Sequence, residues 1–218
     1  MQKQPLIKLA VGLYVTDVLL LAAYLIGIML VIPNPHIFRL INLDAEASLG
    51  SWFSASQLLW TGTAFALAAC NRSGYPVSAT FLALCALAFF FLSADEAASI
   101  HEKITMIFRG VTYLPRFSGD HGVWIPIYLV AGALFVITTR RSWLLMWRDH
   151  REGSIIFLLG VALFVIGAVA LEIVSYSGLR DVSNRNYYLY QVFFEEAFEL
   201  AGVTTLLVGS LRMLFAPR

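Results

Sequence analysis

Residues 154–177 read SIIFLLGVALFVIGAVALEIVSYS, a run in which Glu172 is the one charged residue. An α-helix rises about 1.5 Å per residue, so roughly 20 apolar residues cross the ~30 Å hydrocarbon core of a bilayer. This run meets that length, which makes it a transmembrane helix rather than the apolar stripe of a soluble core helix. The whole composition agrees. Hydrophobic residues make up 59% of the 218 and charged residues 13%, against roughly a quarter charged in a soluble domain. A net charge of +1 with no basic run excludes a nucleic-acid surface. Both cysteines, Cys70 and Cys85, fall in apolar stretches, which argues against a disulfide framework or a cysteine metal site.

Working outward, the same reading predicts an all-α, polytopic transmembrane helical bundle of about six spans, forming one integral membrane domain over 1–218. The spans are 6–32, 51–70, 77–94 with a helical extension to about 109, 123–139, 154–177 and 187–215. The first span follows Lys3 and Lys8 as a signal peptide would, but its ~25 apolar residues exceed an h-region of about 7–15, so it is read as retained. Pro33-Asn34-Pro35 closes it. Between His36 and Ala47, Ile37, Phe38, Leu40, Ile41 and Leu43 alternate with His36, Arg39, Asn42, Asp44 and Glu46, the pattern of a short interfacial helix. After Leu92 no Gly or Pro intervenes until Gly110, so the third helix is expected to project past the bilayer carrying Asp95 to Arg109. Arg140 to Gly153 reads as a basic loop, and Gly160, Gly167 and Gly202 show no paired pattern.

With the N-terminus inside, Lys3, Lys8, Arg72, Arg140, Arg141, Arg148, Arg151, Arg212 and Arg218 are cytoplasmic. Arg39, Lys103, Arg109, Arg116, Arg180 and Arg185 face the other side. That bias places a cell-membrane protein with both termini in the cytoplasm. On this topology every acid except Asp17, Asp149 and Glu152 falls on or near the extracytoplasmic face, together with His36, His101 and His121. Helical spacing puts Asp95, Ser99 and Glu102 on one stripe and Gln191, Glu195 and Glu199 on another, with Glu196 at its shoulder. His101 lies about 120° from Asp95 around a regular helix, so a bend or a wide site is needed to join them.

Carboxylates in spans are costly, and Glu172, Glu195, Glu196 and Glu199 have no lysine or arginine in their own spans. Packed together they require protons, a cation, or the loop arginines Arg180 and Arg185. Carboxylates with one histidine suit a divalent metal ion such as Fe, Mn, Mg or Zn. Asp95, His101, Glu102, Glu195 and Glu199 are the expected ligands, with Glu96, Glu172 and Glu196 as supporting groups or general base. The chemistry expected is hydrolysis or group transfer with Mg, Mn or Zn, and oxygen chemistry with Fe, on a lipid-like substrate. The rival expectation is a small transporter or an accessory membrane subunit. Asp17, near the middle of span one, is read as a packing aspartate or a proton relay. Known patterns fail at named residues. A zinc-peptidase H-E-x-x-H helix needs histidine where Thr105 stands, and the di-iron Glu-x-x-His needs glutamate at Ala98.

Overall fold

The computed structural model describes residues 3–30, 34–71, 75–111, 113–117, 121–176 and 185–215. Among the described residues the chain is helical, and the only β-pairing is an isolated bridge between Phe117 and His121. The helices are α1 (Lys3–Met29), α2 (Pro35–Ile41), α3 (Leu49–Cys70), α4 (Ala79–Ala98), α5 (Ile100–Phe108), α6 (Trp124–Asp149), α7 (Arg151–Val165), α8 (Glu172–Val174) and α9 (Arg185–Phe215). Between α7 and α8 the helix widens into π turns over Ile166–Leu171.

Among the described residues five segments are long and apolar enough to cross a membrane: Gln4–Met29, Ala79–Ala98, Trp124–Asp149, Arg151–Val174 and Tyr187–Phe215. The other expected span corresponds to α3, whose length suffices but whose serines, threonines and Gln57 lower its apolarity. Those polar residues are largely internal: Ser51, Ser54, Gln57 and Thr61 are all buried against neighbouring helices. Outward faces are apolar, as Val18, Leu87 and Ile137 illustrate, which hydrocarbon tolerates and water does not.

Because lipid is as apolar as leucine, close packing rather than burial from water holds such a bundle together. The tightest seam joins α7 and α9, running antiparallel. A Cβ on Gly160 would come within 2.5 Å of Leu206 backbone N, and one on Gly202 within 2.4 Å of Phe164 N. Gly153, Gly160 and Gly167 on one side and Gly202 and Gly209 on the other each recur every seven residues. The reading of these glycines as unpaired is therefore corrected: their heptad spacing is the pairing. α3 lies antiparallel to α4, Ser93 donating from α4 to the Ala55 carbonyl at 2.7 Å, and α1 leans on α9. Where α3, α4, α6 and α7 meet, Phe65, Phe89, Trp143 and Phe157 interlock, with ring centroids 5.5–6.0 Å from that of Phe157.

Two further expectations change. Arg140 to Gly153 is not a loop, because α6 runs through to Asp149 and the chain turns only at His150. Nor does the third helix project straight on: α4 stops at Ala98 and α5 begins at Ile100. The amphipathic stretch after span one is helical only over Pro35–Ile41, capped by Asn34, whose side chain accepts from the His36 and Ile37 N–H groups.

Candidate functional site

The break between α4 and α5 is Ser99, at φ 51° and ψ 47°, a left-handed conformation that side-chain-bearing residues seldom adopt. This single residue turns the chain so that α5 begins over the end of α4. Asp95 Oδ1 then accepts the His101 backbone N–H at 2.7 Å and lies 3.3 Å from His101 Nδ1. Asp95 thus serves as the acidic cap that Ser99 does not supply to α5. On the far side of the ring, His101 Nε2 is 3.7 Å from Glu46 Oε1. Burial works against a charged His101, but the hydrogen bond and charge of Asp95, reinforced by Glu46 and Glu96, outweigh it and push His101 up to about 9. Burial also raises Glu46, with the His101 charge opposing. Trp124 meets the His101 ring edge-on at 5.2 Å and Tyr128 at the same centroid distance. The Trp124 indole N–H is buried with no hydrogen-bond partner, and the buried Tyr128 hydroxyl lies within hydrogen-bonding influence of Asp95.

The second part of the site is made of glutamates. The π turns of Ile166–Leu171 immediately precede Glu172 and set where it emerges. Within those turns Gly167 approaches so closely that a Cβ would lie 2.6 Å from Glu199 Cγ and 2.9 Å from the Glu195 carbonyl. The Glu172 and Glu195 carboxyl groups adjoin. Glu196 feels the charges of Glu96, Glu195, Asp44 and Glu172, and Glu199 those of Glu196, Glu96, Glu172 and Glu46. Gln191 donates to Glu195 Oε2 at 2.9 Å and to the Leu171 carbonyl at 3.2 Å, while its own carbonyl oxygen is buried without a partner. Among the described residues no lysine or arginine is ion-paired with Glu96, Glu172, Glu195, Glu196 or Glu199. Arg180, expected to reach them, lies outside the described residues, as do Asp120, Asp181 and the side chain of Arg185.

Of the residues singled out from sequence, Asp95 and His101 are in contact, and Glu96, Glu172, Glu195, Glu196 and Glu199 act on one another electrostatically. Glu102 does not share a stripe with Asp95, since the turn at Ser99 breaks the register and leaves Glu102 exposed. His36 is exposed on α2, and His121 stacks on Tyr176 at 5.1 Å. Sequence reasoning missed Glu46 and Trp124 as neighbours of His101, and Tyr128 as a neighbour of Trp124 and Asp95. Nothing in their local sequence marks them, because Glu46 arrives from the turn before α3 and Trp124 and Tyr128 from α6.

Among the described residues no three His, Cys, Asp or Glu side chains stand ready-arranged around a metal position. The glutamates nevertheless form an oxygen-rich group of acceptors, which either a hard cation or shared protons satisfies. A family model described as "Domain of unknown function (DUF8692)" matches residues 12–214. The chain belongs to that family. The match runs from within α1 to within α9, so it spans the segments that carry His101 and the glutamates. No curated protein and no solved structure matches the chain.

Proposed function

We propose that this family member is a multi-pass membrane enzyme whose acidic end binds a divalent metal ion (Fe, Mn, Mg or Zn) and acts on a lipid-like substrate. One observation carries the reading. Glu172, Glu195, Glu196 and Glu199 from α8 and α9 collect at one end of the bundle without a lysine or arginine partner among the described residues, next to Glu96 of α4 and beside a buried Gln191 carbonyl oxygen that lacks a donor. A cation is the partner that oxygens in that state lack. Glu195 and Glu199 are the ligands, with Glu172, Glu196 and Glu96 completing or supporting the shell and Glu102 at its exposed rim. Asp95 holds His101 by one ring nitrogen, so His101 carries protons to or from a substrate at the membrane surface rather than anchoring the metal. In this reading α3 is the sixth span, α2 lies in the interface, and both termini are cytoplasmic.

The test is the metal content of the full chain purified without chelator, for the wild type and for Glu195→Gln with Glu199→Gln. Stoichiometric metal that drops roughly tenfold or more in the double variant supports the site. Metal-free wild type that none of the four ions stabilises would end it. The adjoining Glu172 and Glu195 carboxyls favour a second reading, a non-catalytic proton-sharing cluster. It predicts metal-free protein with a shared-proton infrared signature that Glu172→Gln removes.

A further inference from the structure

Away from the acidic end, one ionisable side chain is enclosed in the middle of the bundle. Asp17 on α1 is 3% exposed, and neither of its carboxyl oxygens has a hydrogen-bond partner. The Thr204 hydroxyl of α9 is the side-chain group within hydrogen-bonding influence of that carboxyl, without the close geometry of a formed bond. The Thr204 hydroxyl donates to Gln57 Oε1 of α3 at 2.8 Å, and both of those residues are buried. No charged side chain among the described residues acts on Asp17. From α9 it faces Thr204; the next residue, Thr205, is engaged by the Tyr14 hydroxyl at 2.6 Å. From α3 the polar neighbour is Gln57, linked through Thr204. α2 meets α1 at Gly27, well beyond Asp17, so His36 and Arg39 do not face it.

The hydrogen-bond parity of this group is informative. A hydroxyl has one hydrogen, and that of Thr204 is already given to Gln57. Thr204 therefore offers Asp17 only lone pairs, and two acceptors cannot satisfy each other unless one bears a proton. An unpaired carboxylate at this depth in hydrocarbon is also strongly disfavoured. We propose that Asp17 is a proton-binding site: it holds a proton in the folded protein and donates it to Thr204. The result is a one-way hydrogen-bond chain, Asp17 to Thr204 to Gln57, that ties α1 through α9 to α3. The proton is the ligand, and its occupancy governs how α1 docks. α1 is the most lipid-exposed of the helices that touch α9, and its other polar ties to α9 are Tyr14 to Thr205 and Tyr24, whose hydroxyl donates to the Leu189 carbonyl at 3.3 Å.

The experiment is infrared difference spectroscopy of the full chain in nanodiscs at neutral pH, comparing wild type with Asp17→Asn. A carboxylic-acid carbonyl band, sensitive to deuterium exchange, is expected in the wild type and lost in the variant. Asp17→Asn keeps a neutral donor for Thr204, so it is expected to melt close to the wild type in acid and to lack part of the wild type's loss of stability as pH rises above about 4. Thr204→Val is the second variant, and it leaves the carboxyl in place. There the acid band is expected to persist and shift to higher frequency as its acceptor is removed. Loss of a carboxylate band instead of an acid band in Asp17→Asn would overturn the proposal, because Asp17 would then be ionised and Gln57 turned over to donate to Thr204. Stabilisation of the wild type by sodium that Asp17→Asn abolishes would overturn it in favour of a cation, and an unmoved acid band in Thr204→Val would remove Thr204 from the chain.

Discussion

His101 stands between two carboxylates, Asp95 at one ring nitrogen and Glu46 near the other, and this arrangement favours its protonated form. Its value moves from the ordinary 6.5 up to about 9. A histidine raised on folding contributes stability that is full below its unfolded value and is lost as pH climbs through its folded value. Melting temperature is therefore expected to fall as pH rises from about 6.5 through about 9, and His101→Gln should flatten that limb. Asp95→Asn should move the limb to lower pH, because it removes the partner that contributes most to the upward shift. A wild-type profile identical to that of His101→Gln would show the imidazole to be neutral. Helical geometry asked for a bend or a wide site to join Asp95 and His101, and a bend at Ser99 lies between them. Glu46 was not legible, since a loop acid gives no local sign of which helix end it will approach.

The bend itself belongs to the scale of the element. Ser99 has no glycine's freedom, yet it adopts the left-handed region, which costs a side-chain-bearing residue about 1–2 kcal/mol. Ser99→Gly is expected to leave melting and the Asp95–His101 contact intact. Ser99→Val, β-branched in the same conformation, should lose about 1–2 kcal/mol and displace His101, as denaturant unfolding and a histidine NMR titration would register. Along α7 and α9, Gly160→Leu or Gly202→Leu forces a side chain into opposing backbone and is expected to cost about 1–3 kcal/mol. Gly167→Leu acts differently. It presses on Glu195 and Glu199, so it should lower metal retention more than it lowers melting temperature. Span positions were legible because apolar runs of membrane length have few alternatives. The glycine seam was written in the sequence as a period of seven, but it becomes visible only when two helices are compared. The Ser99 break has no sequence signal of the usual kind: neither glycine nor proline marks it.

For the whole molecule, the uneven placement of arginine and lysine makes a prediction about sidedness. If α3 completes six spans, protease-cleavable tags at the two ends should be protected together in right-side-out vesicles and cleaved together in inverted ones. Protection of one alone would remove α3 from the count. The gathering of acids at one end was legible from sequence, because it needs only the spans and their order. Which carboxyls adjoin was not, because that depends on the π turns before Glu172 and on the approach of Gly167, neither of which has a compositional mark. The interlocked rings of Phe65, Phe89, Trp143 and Phe157 occupy the other half of the bundle. Such a stopper locks α3, α4, α6 and α7 together at one level, so truncating any one of these rings is felt by all four helices.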